Sequence, residues 1–466
     1  MPSRANAIEW RLDLSPGRIS PRALLDLDPR CAIVTYRSVR EGGKFDGDAG
    51  AYRRSIQSAY DAGAAVDVEL ESGLLADPGF LPDRRRVIGS RHGAALSEGK
   101  VRACMAPEVA AVKLVLSEPD SVAEAVGCVE RGRRLSREKP VACFAMGARG
   151  AVTRVLAGRF GSALTYGSVD GATAAGQIAL ADLLDVYGAE QTAPPEKIFA
   201  IYGGDVSESL SPYIHNALFR RRGLPWLYVP LSGSRRGPSL DAPIAADLVA
   251  LDGLTKNLAG VSVTHPYKSD YASVAEADPE TARIGAANTL VRRKVECLDL
   301  SAHNTDVGAA GAALSRLAGE RVLVLGTGGA ARAAVVAGLR LGRTVLVAGR
   351  DEAKARSLAS ELGAAPISRP AAASAGADVV VNATPLGGDS SDALPFSEAM
   401  LDGASVVDFV YRRGRETALA AAARVRGREV VDGFELLARQ AALQAALFGV
   451  PDATHEEIAG ILAELA

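Results

Sequence analysis

The hydrophobic positions of the chain form short apolar runs that alternate with helix-like stretches. In residues 1 to 190, seven runs have the pattern of strands: AIEWRLDL, CAIVTYR, AAVDVEL, RVIGSRH, VAAVKLVL, PVACFAMG and SALTYGS. Strands that alternate with helices at this spacing form a parallel sheet, and this many units favour a (β/α) barrel. A closed barrel needs eight strands, so we expect the usual first strand to be missing and the barrel to be open.

A polar stretch from Gly188 to Lys197, GAEQTAPPEK, separates this region from a second patterned region. Prolines and polar residues between two patterned regions indicate a domain boundary. A new strand pattern, KIFAIYGG, begins directly after it, so the chain is predicted to hold at least two domains.

The second region contains a buried strand that ends in a glycine-rich turn. The segment RVLVLGTGGAAR places Gly326, Gly328 and Gly329 between an apolar run and an alanine-rich helix pattern. A strand, a glycine turn and a helix in this order bind phosphate through backbone N–H groups, although an ordinary tight turn would read similarly. After the next strand, Arg350 stands where an NAD site carries an acid. We therefore expect NADP rather than NAD, with Asp351 as a discordant neighbour.

Composition narrows the class of protein. The 466 residues can bury ample core in two or three domains, and the formal net charge of −2 argues against nucleic acid as a partner. We find no apolar run long enough for a membrane span and no signal peptide. The five cysteines show no CxxC spacing. Free thiols in a reducing cytoplasm are expected, and no metal site is expected.

Polar residues of the first region fall at the ends of the predicted strands, where a barrel places its chemistry. They are Glu9, Arg11, Arg37, Glu69 and His92. Lys113 lies inside an apolar strand, where it could simply reach solvent. In a barrel interior, desolvation and nearby cations would lower its pKa and allow a Schiff base with a carbonyl. His92 could then act as general base and acid, with Glu69 fixing its tautomer.

The motifs IEWRLD, TYRSVREGGKF, VDVEL, SRH, VKL, MGARGAVTR and FGSALTYG…ATAAGQ resemble type I 3-dehydroquinate dehydratase. The resemblance implies that Lys113 forms the Schiff base, that His92 transfers protons and that Glu69 is its partner. It implies that the substrate is bound by Glu9, Arg11, Arg37, Arg154, Thr173 and Gln177. The chain departs from the family in Gly93-Ala94 after the histidine, in Thr173 for a serine and in Ala175 for a proline.

The second region carries further motifs before and after the glycine turn: SESLSPYIHN, VTHPYK, GAANT, NTD, NAT, DFVY and a late glutamine. Singly, each could be a surface loop or, for Ser209 and Ser211, a helix cap. Together they resemble shikimate dehydrogenase over residues 197 to about 450. The resemblance implies Lys268 and Asp306 as the catalytic pair.

The same resemblance implies two binding sets. Substrate would be bound by Ser209, Ser211, Thr264, Asn288, Tyr411 and Gln440. NADP would be bound by Gly326, Gly328, Gly329, Ala330, Arg350, Lys354, Asn382, Thr384 and Gly433. The expected organisation is a dehydratase-like barrel (1–190), a substrate lobe (197–306), a Rossmann-type NADP lobe (307–432) and C-terminal helices that return to the substrate lobe (433–466).

The two resemblances together imply a bifunctional enzyme that dehydrates 3-dehydroquinate and then reduces 3-dehydroshikimate to shikimate with NADPH. Two alternatives stay open. The barrel could be a structural or regulatory relic, or the second region could act on quinate or an aminated analogue. The oligomeric state is left open by the sequence.

Overall fold

The computed structural model describes residues 5–15, 19–28, 32–169, 171, 174–233, 243–388, 394 and 398–465. The chain divides into two compact units, and the main break lies between Pro195 and Glu196. This break is inside the polar stretch Gly188–Lys197. Each unit has its own core and is described separately.

The first unit is an α/β unit built on one parallel sheet. Its strands are β1 (Ile8–Arg11), β2 (Ala32–Thr35), β3 (Ala65–Glu69), β4 (Val87–Gly93), β5 (Ala111–Leu116) and β6 (Val141–Ala145). Its helices are α1 (Pro21–Leu27), α2 (Ala49–Asp61), α3 (Glu98–Met105), α4 (Val122–Leu135), α5 (Gly147–Leu156) and α6 (Leu180–Asp185). Among the described residues, the sheet has six strands in sequence order, and all neighbours pair in parallel.

The predicted seventh strand, SALTYGS, does not form in the described part of the chain. Its residues touch the sheet through the Ala163 N–H, which donates to Val141 O at 2.8 Å, and through an isolated bridge between Ser168 and Ala179. The prediction of seven strands was therefore wrong. A strand forms only where a neighbouring strand offers a continuous ladder of hydrogen bonds. The sequence pattern of these residues carries no information about that neighbour. The sheet is open, as expected for a barrel that lacks a strand.

Helices cover the outer face of the sheet because parallel strands need crossover connections. Helix α2 buries Tyr52, Ile56 and Tyr60 in the same core as the strand residues Val66 and Val68. A second core packs α3 and α4 against β5 and β6. The opposite face of the strands carries the polar side chains. The helices therefore support the site by packing on the other face of the same strands.

The second unit begins with a mixed sheet. Its strands are β7 (Lys197–Gly203), β8 (Trp226–Ser232), β9 (Leu258–Val263), β10 (Ala275–Ala277), β11 (Thr289–Arg292) and β12 (Leu300–His303), in the order β10-β12-β11-β9-β7-β8. Helices α7 (Ser211–Arg221), α8 (Pro243–Thr255), α9 (Pro279–Ile284) and α10 (Thr305–Arg316) accompany them. β11 runs antiparallel to both of its neighbours. Helix α10 runs through the lobe boundary expected between residues 306 and 307.

A parallel sheet follows, with the strands β13 (Arg321–Leu325), β14 (Thr344–Ala348), β15 (Ala365–Pro366), β16 (Val379–Asn382), β17 (Ser405–Asp408) and β18 (Val430–Val431) in the order β15-β14-β13-β16-β17-β18. Its helices are α11 (Gly329–Arg340), α12 (Glu352–Leu362), α13 (Arg369–Ala372) and α14 (Ala418–Val425). The strand order reverses beside β13, which is where open α/β sheets bind ligands. The Rossmann-type arrangement expected from the sequence is confirmed.

The last helices, α15 (Gly433–Leu447) and α16 (His455–Ala463), pack on the mixed sheet. Ala441 and Phe448 join Phe199 of β7 in one core, and Ile458 of α16 belongs to the same core. This packing brings the side chains of α15 back toward residues that precede the parallel sheet. No helix in the described ranges is long and apolar enough to cross a membrane.

Candidate active sites

The first site is built around Lys113 on β5, which pairs with β4 on one side and with β6 on the other. Its side chain is buried, and Nζ lies 3.1 Å from Asp67 Oδ2 and 3.3 Å from Glu9 Oε1. Alternate residues of a strand point to the same side of the sheet, so Asp67 and Glu69 of β3 and Ser90 and His92 of β4 share this face. The apolar neighbours of Lys113 in the sequence point the other way, into the helix layer. Lys113 therefore does not reach solvent, which excludes the alternative of an ordinary surface lysine on a strand.

Arg37 holds the carboxylates of this face together. Its Nη1 donates to Glu41 Oε2 at 3.0 Å and to Ser90 Oγ at 2.9 Å, and its Nη2 donates to Asp67 Oδ1 at 2.9 Å. Glu69 Oε1 is a more distant acceptor at 3.4 Å. All of these partners are side chains of the protein, so the described contacts of Arg37 hold the site together. Its contact with substrate stays a prediction.

The carboxylate against His92 is Glu41, not the expected Glu69. Glu41 Oε2 lies 3.0 Å from His92 Nδ1 and accepts the His92 backbone N–H at 3.0 Å. Glu69 instead accepts hydrogen bonds from the N–H and the hydroxyl of Ser38, both at 2.8 Å. The pairing was missed because Glu41 lies in a turn after β2 rather than at a strand end. The one clue in the sequence to the position of Glu41 was that it follows Arg37 by four residues, a spacing at which the two side chains can pair.

This arrangement selects one histidine tautomer. Glu41 Oε2 already accepts from Arg37 and from the His92 main chain, so it is an acceptor for Nδ1–H as well. Nε2 is then free to accept a proton. Burial, helped by Arg37 and Lys113, holds the pKa of His92 well below its usual value, so the ring is neutral at neutral pH. Burial outweighs Arg37 and raises the pKa of Glu41 to about 8, so near neutral pH its Oε1 carries a proton while Oε2 still accepts from Nδ1–H.

Lys113 differs from the expectation of a lowered pKa. Burial alone would disfavour its ammonium, but Glu9, Tyr166 and Asp67 outweigh that effect and raise the pKa of Lys113 above its ordinary value. The nearby cation, Arg37, acts in the expected direction but is the weaker influence. The lysine is therefore stored as an ammonium, because the sequence pattern did not show that two carboxylates would lie beside it.

The predicted substrate-binding residues of this unit differ in what they contact. Arg154 on α5 is 2% exposed, donates from Nη1 to Ala145 O at 2.9 Å, and leaves Nε without a partner among the described residues. Burial lowers the pKa of Arg154 to about 10. Arg11 forms a bidentate ion pair with Asp13, with both hydrogen bonds at 2.8 Å. Gln177 is half-buried, and Thr173 lies outside the described residues.

The second site centres on a lysine–aspartate pair. Lys268 Nζ lies 2.5 Å from Asp306 Oδ2, and Asn288 Nδ2 donates to Asp306 Oδ1 at 2.9 Å. Lys268 follows β9, while Asp306 starts α10, so two loops that are distant in sequence meet here. Asn288 also reaches Gln440 Oε1 on α15 at 3.4 Å. The structure thus brings four of the predicted residues of this lobe into one cluster.

A buried network that the sequence did not reveal supports this cluster. Gln444 Nε2 donates to Asn288 O at 3.1 Å, and Gln444 Oε1 accepts from Ser262 Oγ at 3.0 Å. His215 Nε2 lies 3.3 Å from the same Gln444 oxygen. Burial lowers the pKa of His215 to about 4. The spacing of four residues between Gln440 and Gln444, one helical turn, was the available signal.

The other predicted substrate residues of this lobe have local contacts. The Ser211 N–H, at the start of α7, donates to Ser209 Oγ at 3.3 Å, but the N-cap of this helix is Leu210, so neither serine occupies the capping position. Thr264 follows β9, and its N–H donates to Tyr202 O at 2.9 Å. The Tyr411 ring packs at 5.5 Å from Phe434. Their contacts with substrate stay predictions.

The glycine turn after β13 has the geometry of a phosphate cradle. Gly326 has φ +122°, and a Cβ there would lie 2.7 Å from Ala383 O. A Cβ at Gly328 would meet no atom within 4 Å, which leaves open space at the start of α11, where Ala330 lies in the first turn. Gly329 lies against Lys268, whose Cδ would be 2.9 Å from a Cβ. A nucleotide phosphate fits at this helix N-terminus, directly beside Lys268 of the lysine–aspartate pair.

Around the turn, three predicted cofactor residues have structural contacts. Asn382 Nδ2 donates to Asp408 Oδ1 at 2.9 Å, and Asn382 Oδ1 accepts from Thr384 Oγ1 at 2.7 Å. These bonds shape the turn after β16. Gly433 packs so closely on the main chain that a Cβ would lie 2.3 Å from Val410 O. Their side chains or backbone thus fix the walls of the cradle.

Asp351, the discordant neighbour of Arg350, is a helix cap. Its Oδ1 accepts the N–H groups of Ala353 and Lys354, each at 3.1 Å, at the start of α12. Its carboxylate is therefore engaged by the main chain of the helix. Arg350 is exposed beside it, and Lys354 makes only a distant ion pair with Asp351, at 3.9 Å. Both cations fit a phosphate ligand.

Comparisons with known proteins agree with this division. Residues 1–194 match the type I 3-dehydroquinase family, and residues 201–290 match the shikimate dehydrogenase substrate binding domain. Residues 321–411 match the family described as NADP oxidoreductase, coenzyme F420-dependent. The three matches fall on the first unit, the mixed sheet and the parallel sheet.

Three individual proteins illustrate the similarity. The bifunctional 3-dehydroquinate dehydratase/shikimate dehydrogenase of Arabidopsis thaliana, described as chloroplastic, is 29% identical over 95% of this chain and 77% of its own length. The shikimate dehydrogenase (NADP(+)) of Rubrobacter xylanophilus is 39% identical over 52% of this chain and 87% of its own. The structure of a quinate dehydrogenase from Corynebacterium glutamicum in complex with NAD is 26% identical, covers 58% of this chain and 100% of its own, and has a TM-score of 0.51.

The folds and sites define a two-unit enzyme, with a lysine-centred lyase site in one unit and a dinucleotide-dependent oxidoreductase site in the other. The chain belongs to the shikimate dehydrogenase family, in the bifunctional form that carries a type I 3-dehydroquinase ahead of the dehydrogenase.

Proposed function

We propose that the first unit removes water from 3-dehydroquinate through an imine on Lys113, and that the second unit reduces the resulting 3-dehydroshikimate to shikimate with NADPH. One observation carries this proposal. Each unit holds its own lysine centre with a complete set of polar partners: Lys113 with Glu9 and Asp67, and Lys268 with Asp306.

In the first unit, Lys113 is the nucleophile. Its ammonium must lose a proton before Nζ attacks the substrate carbonyl, and the carboxylates of Glu9 and Asp67 lie within 3.4 Å to receive it. The product of attack is an iminium, which draws electrons from the adjacent carbon and makes its C–H bond acidic. The buried carboxylates also stabilise the positive iminium, because they replace the solvent that the site excludes.

His92 then handles the proton. Its neutral ring, oriented by Glu41 at Nδ1, presents Nε2 as a base to the C–H bond next to the iminium. The imidazolium that forms can return the proton to the leaving hydroxyl, which departs as water from the neighbouring carbon. Arg154, whose Nε has no partner among the described residues, supplies a cation for the substrate carboxylate.

In the second unit, Lys268 and Asp306 manage the proton on the substrate oxygen. Lys268 donates a proton as the carbonyl is reduced, and Asp306, fixed by Asn288, holds the lysine in place. The glycine cradle next to Lys268 fits the phosphates of NADPH, which supplies the hydride when bound. Arg350 and Lys354 would hold its 2′-phosphate, because both are exposed cations at the start of α12.

The test uses the full chain. With 3-dehydroquinate and NADPH present, shikimate should accumulate while NADPH is oxidised. Borohydride added with 3-dehydroquinate should attach one ligand mass to the protein at Lys113, and Lys113→Ala should abolish both the adduct and the dehydration. An active Lys113→Ala variant, or a parent protein that never forms the adduct, would rule out imine chemistry. A parent protein that neither forms the adduct nor removes water from 3-dehydroquinate would favour a barrel that serves the dehydrogenase only structurally.

Quinate is a second candidate substrate for the dehydrogenase unit, because the solved structure described above is a quinate dehydrogenase. Shikimate and quinate differ in one hydroxyl and a double bond, which the serine and asparagine groups of the mixed sheet would have to distinguish. Steady-state oxidation of shikimate and quinate with NADP and NAD separates the candidates. A higher kcat/KM for quinate with NAD would replace shikimate in the proposal.

A further inference from the structure

Tyr166 occupies an unusual position beside the Schiff-base lysine. It lies in the extended segment where the seventh strand was expected, and the Lys113 Nζ sits over its ring at 4.4 Å from the centroid. On its other side, the ring packs against Phe144 of β6, with centroids 5.7 Å apart. A ring alone would satisfy both contacts, since cation–π attraction and aromatic packing need no hydroxyl.

The buried hydroxyl of Tyr166 donates to no acceptor among the described residues, and the Lys113 ammonium beside it can only donate. A buried polar group left without a partner destabilises the folded protein. Phenylalanine would avoid this cost and keep the ring contacts. An unpaired buried hydroxyl therefore calls for an explanation, and a ligand that binds beside it would provide one.

The surroundings show that this hydroxyl is a donor. Burial raises the pKa of Tyr166 above its ordinary value, and Lys113 only partly opposes that effect, so the phenol keeps its proton. The other groups beside Nζ, Glu9 and Asp67, are carboxylates that accept hydrogen bonds. The phenol is thus the neutral donor next to the reacting nitrogen.

When Nζ attacks a carbonyl, the former carbonyl oxygen is held on the carbon bonded to Nζ. We propose that the Tyr166 hydroxyl donates a hydrogen bond to this oxygen, stabilises the tetrahedral carbinolamine and assists the loss of the oxygen as water. The proposal rests on the imine chemistry proposed above and assigns a further catalytic residue to it.

The step balances without another reagent. The C–N bond forms while the carbonyl π bond breaks, and two protons that leave Nζ end on the oxygen. The C–O bond then breaks and water departs, so an ammonium and a carbonyl become an iminium and water. Tyr166 keeps its own proton throughout and acts only by hydrogen bonding, as donors in oxyanion-stabilising sites do.

The test is Tyr166→Phe in the full chain, with two readouts. The rate of adduct formation with 3-dehydroquinate, trapped by borohydride in single-turnover samples, should fall about 100-fold, the typical loss for one such donor. The unfolding midpoint of the ligand-free variant should be equal to or higher than that of the parent, because the unpaired hydroxyl is gone. A purely structural tyrosine would instead show a lower midpoint.

The outcomes are distinguishable from failure of the proposed function. If the parent forms no adduct on Lys113, the imine chemistry fails and the role of Tyr166 falls with it. If the parent forms the adduct and Tyr166→Phe forms it at the same rate, only the inference about Tyr166 is overturned. Slower trapping together with a lower midpoint also overturns it. Reduction of supplied 3-dehydroshikimate by the same variant, which should match the parent, verifies that the protein is folded.

Discussion

Glu41 Oε2 lies 3.0 Å from His92 Nδ1 and 3.0 Å from the main-chain nitrogen of the same residue. Two contacts to one residue fix both the position and the orientation of the imidazole. Because Arg37 donates to the same oxygen, the histidine, the glutamate and the arginine form one chain of contacts that ends beside Asp67 and Lys113. A single buried network therefore positions both His92 and Lys113, the residues to which the proposed function assigns proton transfer and imine formation.

We predict that Glu41→Ala lowers the rate of dehydration about 100-fold or more, since it removes the oxygen that accepts from Nδ1–H of His92 and fixes its tautomer. Formation of the conjugated product, followed by its ultraviolet absorbance, measures this rate. Glu69→Ala is the matched control: the Glu69 carboxylate contacts Ser38 and Arg37 rather than His92, so the loss should be smaller. A larger loss for Glu69→Ala would restore Glu69 as the histidine partner.

We predict that Glu9→Gln shifts imine formation to lower pH. Glu9 is the largest of the influences that raise the pKa of Lys113. In the parent, trapping with borohydride should become faster as pH rises toward the raised pKa, because only the free amine attacks. Without the Glu9 charge the pKa falls, so the variant should reach its maximal trapping rate at a lower pH. An unchanged pH profile would show that Glu9 does not govern the proton on Lys113.

We predict that the second unit loses stability in mild acid through His215. The unfolded chain binds a proton on this residue near pH 6.5, whereas the folded protein resists protonation until about pH 4. The folded state therefore binds fewer protons in that window, and its stability falls as pH decreases, by about 3 kcal/mol in total. Denaturant unfolding of His215→Phe and the parent at several pH values tests this. The variant should have a smaller slope with pH, whatever its absolute stability.

We predict that Arg350→Ala weakens NADP binding more than NAD binding. Loss of one charge-assisted contact costs roughly 1.5–3 kcal/mol, or about ten- to a hundredfold in affinity. Steady-state kinetics with both cofactors measure the difference. Arg356→Ala is a suitable control, because Arg356 is also exposed on α12 but pairs with Glu352 at 4.0 Å. Equal losses for both cofactors would mean that Arg350 does not contact the 2′-phosphate.

We predict that the two reactions can be silenced separately. Lys268→Ala should stop shikimate formation while 3-dehydroshikimate accumulates from 3-dehydroquinate. His92→Ala should stop dehydration and leave reduction of supplied 3-dehydroshikimate intact. The physical reason is that the described contacts of each catalytic lysine all lie within its own unit. Loss of both activities in a folded single variant would show a shared site.

The sequence by itself determined the elements and the chemistry they carry. Continuous apolar runs such as residues 322–325 form strands that are buried on both faces, because each side chain is more stable away from water. This signal is contained in neighbouring residues of the chain, so the sequence is enough to show it. Glycines at a strand end likewise specify a turn, as Gly326 shows with its left-handed φ. The motifs also singled out Lys113, His92, Lys268 and Asp306 as candidate reactive groups, and each of them lies on or close to the end of a secondary-structure element.

Only the tertiary structure decided how these groups meet. SALTYGS has a strand pattern, yet no ladder forms, because a ladder depends on a neighbour that the pattern does not contain. Glu41 rather than Glu69 holds His92, since a turn folds it back over the strand ends. The pKa of Lys113 is raised rather than lowered, because its charge responds to two carboxylates more than 40 residues away in sequence. A hydrophobic pattern is a property of neighbouring residues along the chain. Electrostatic interactions depend on distances between charged groups in space, and only folding establishes those distances.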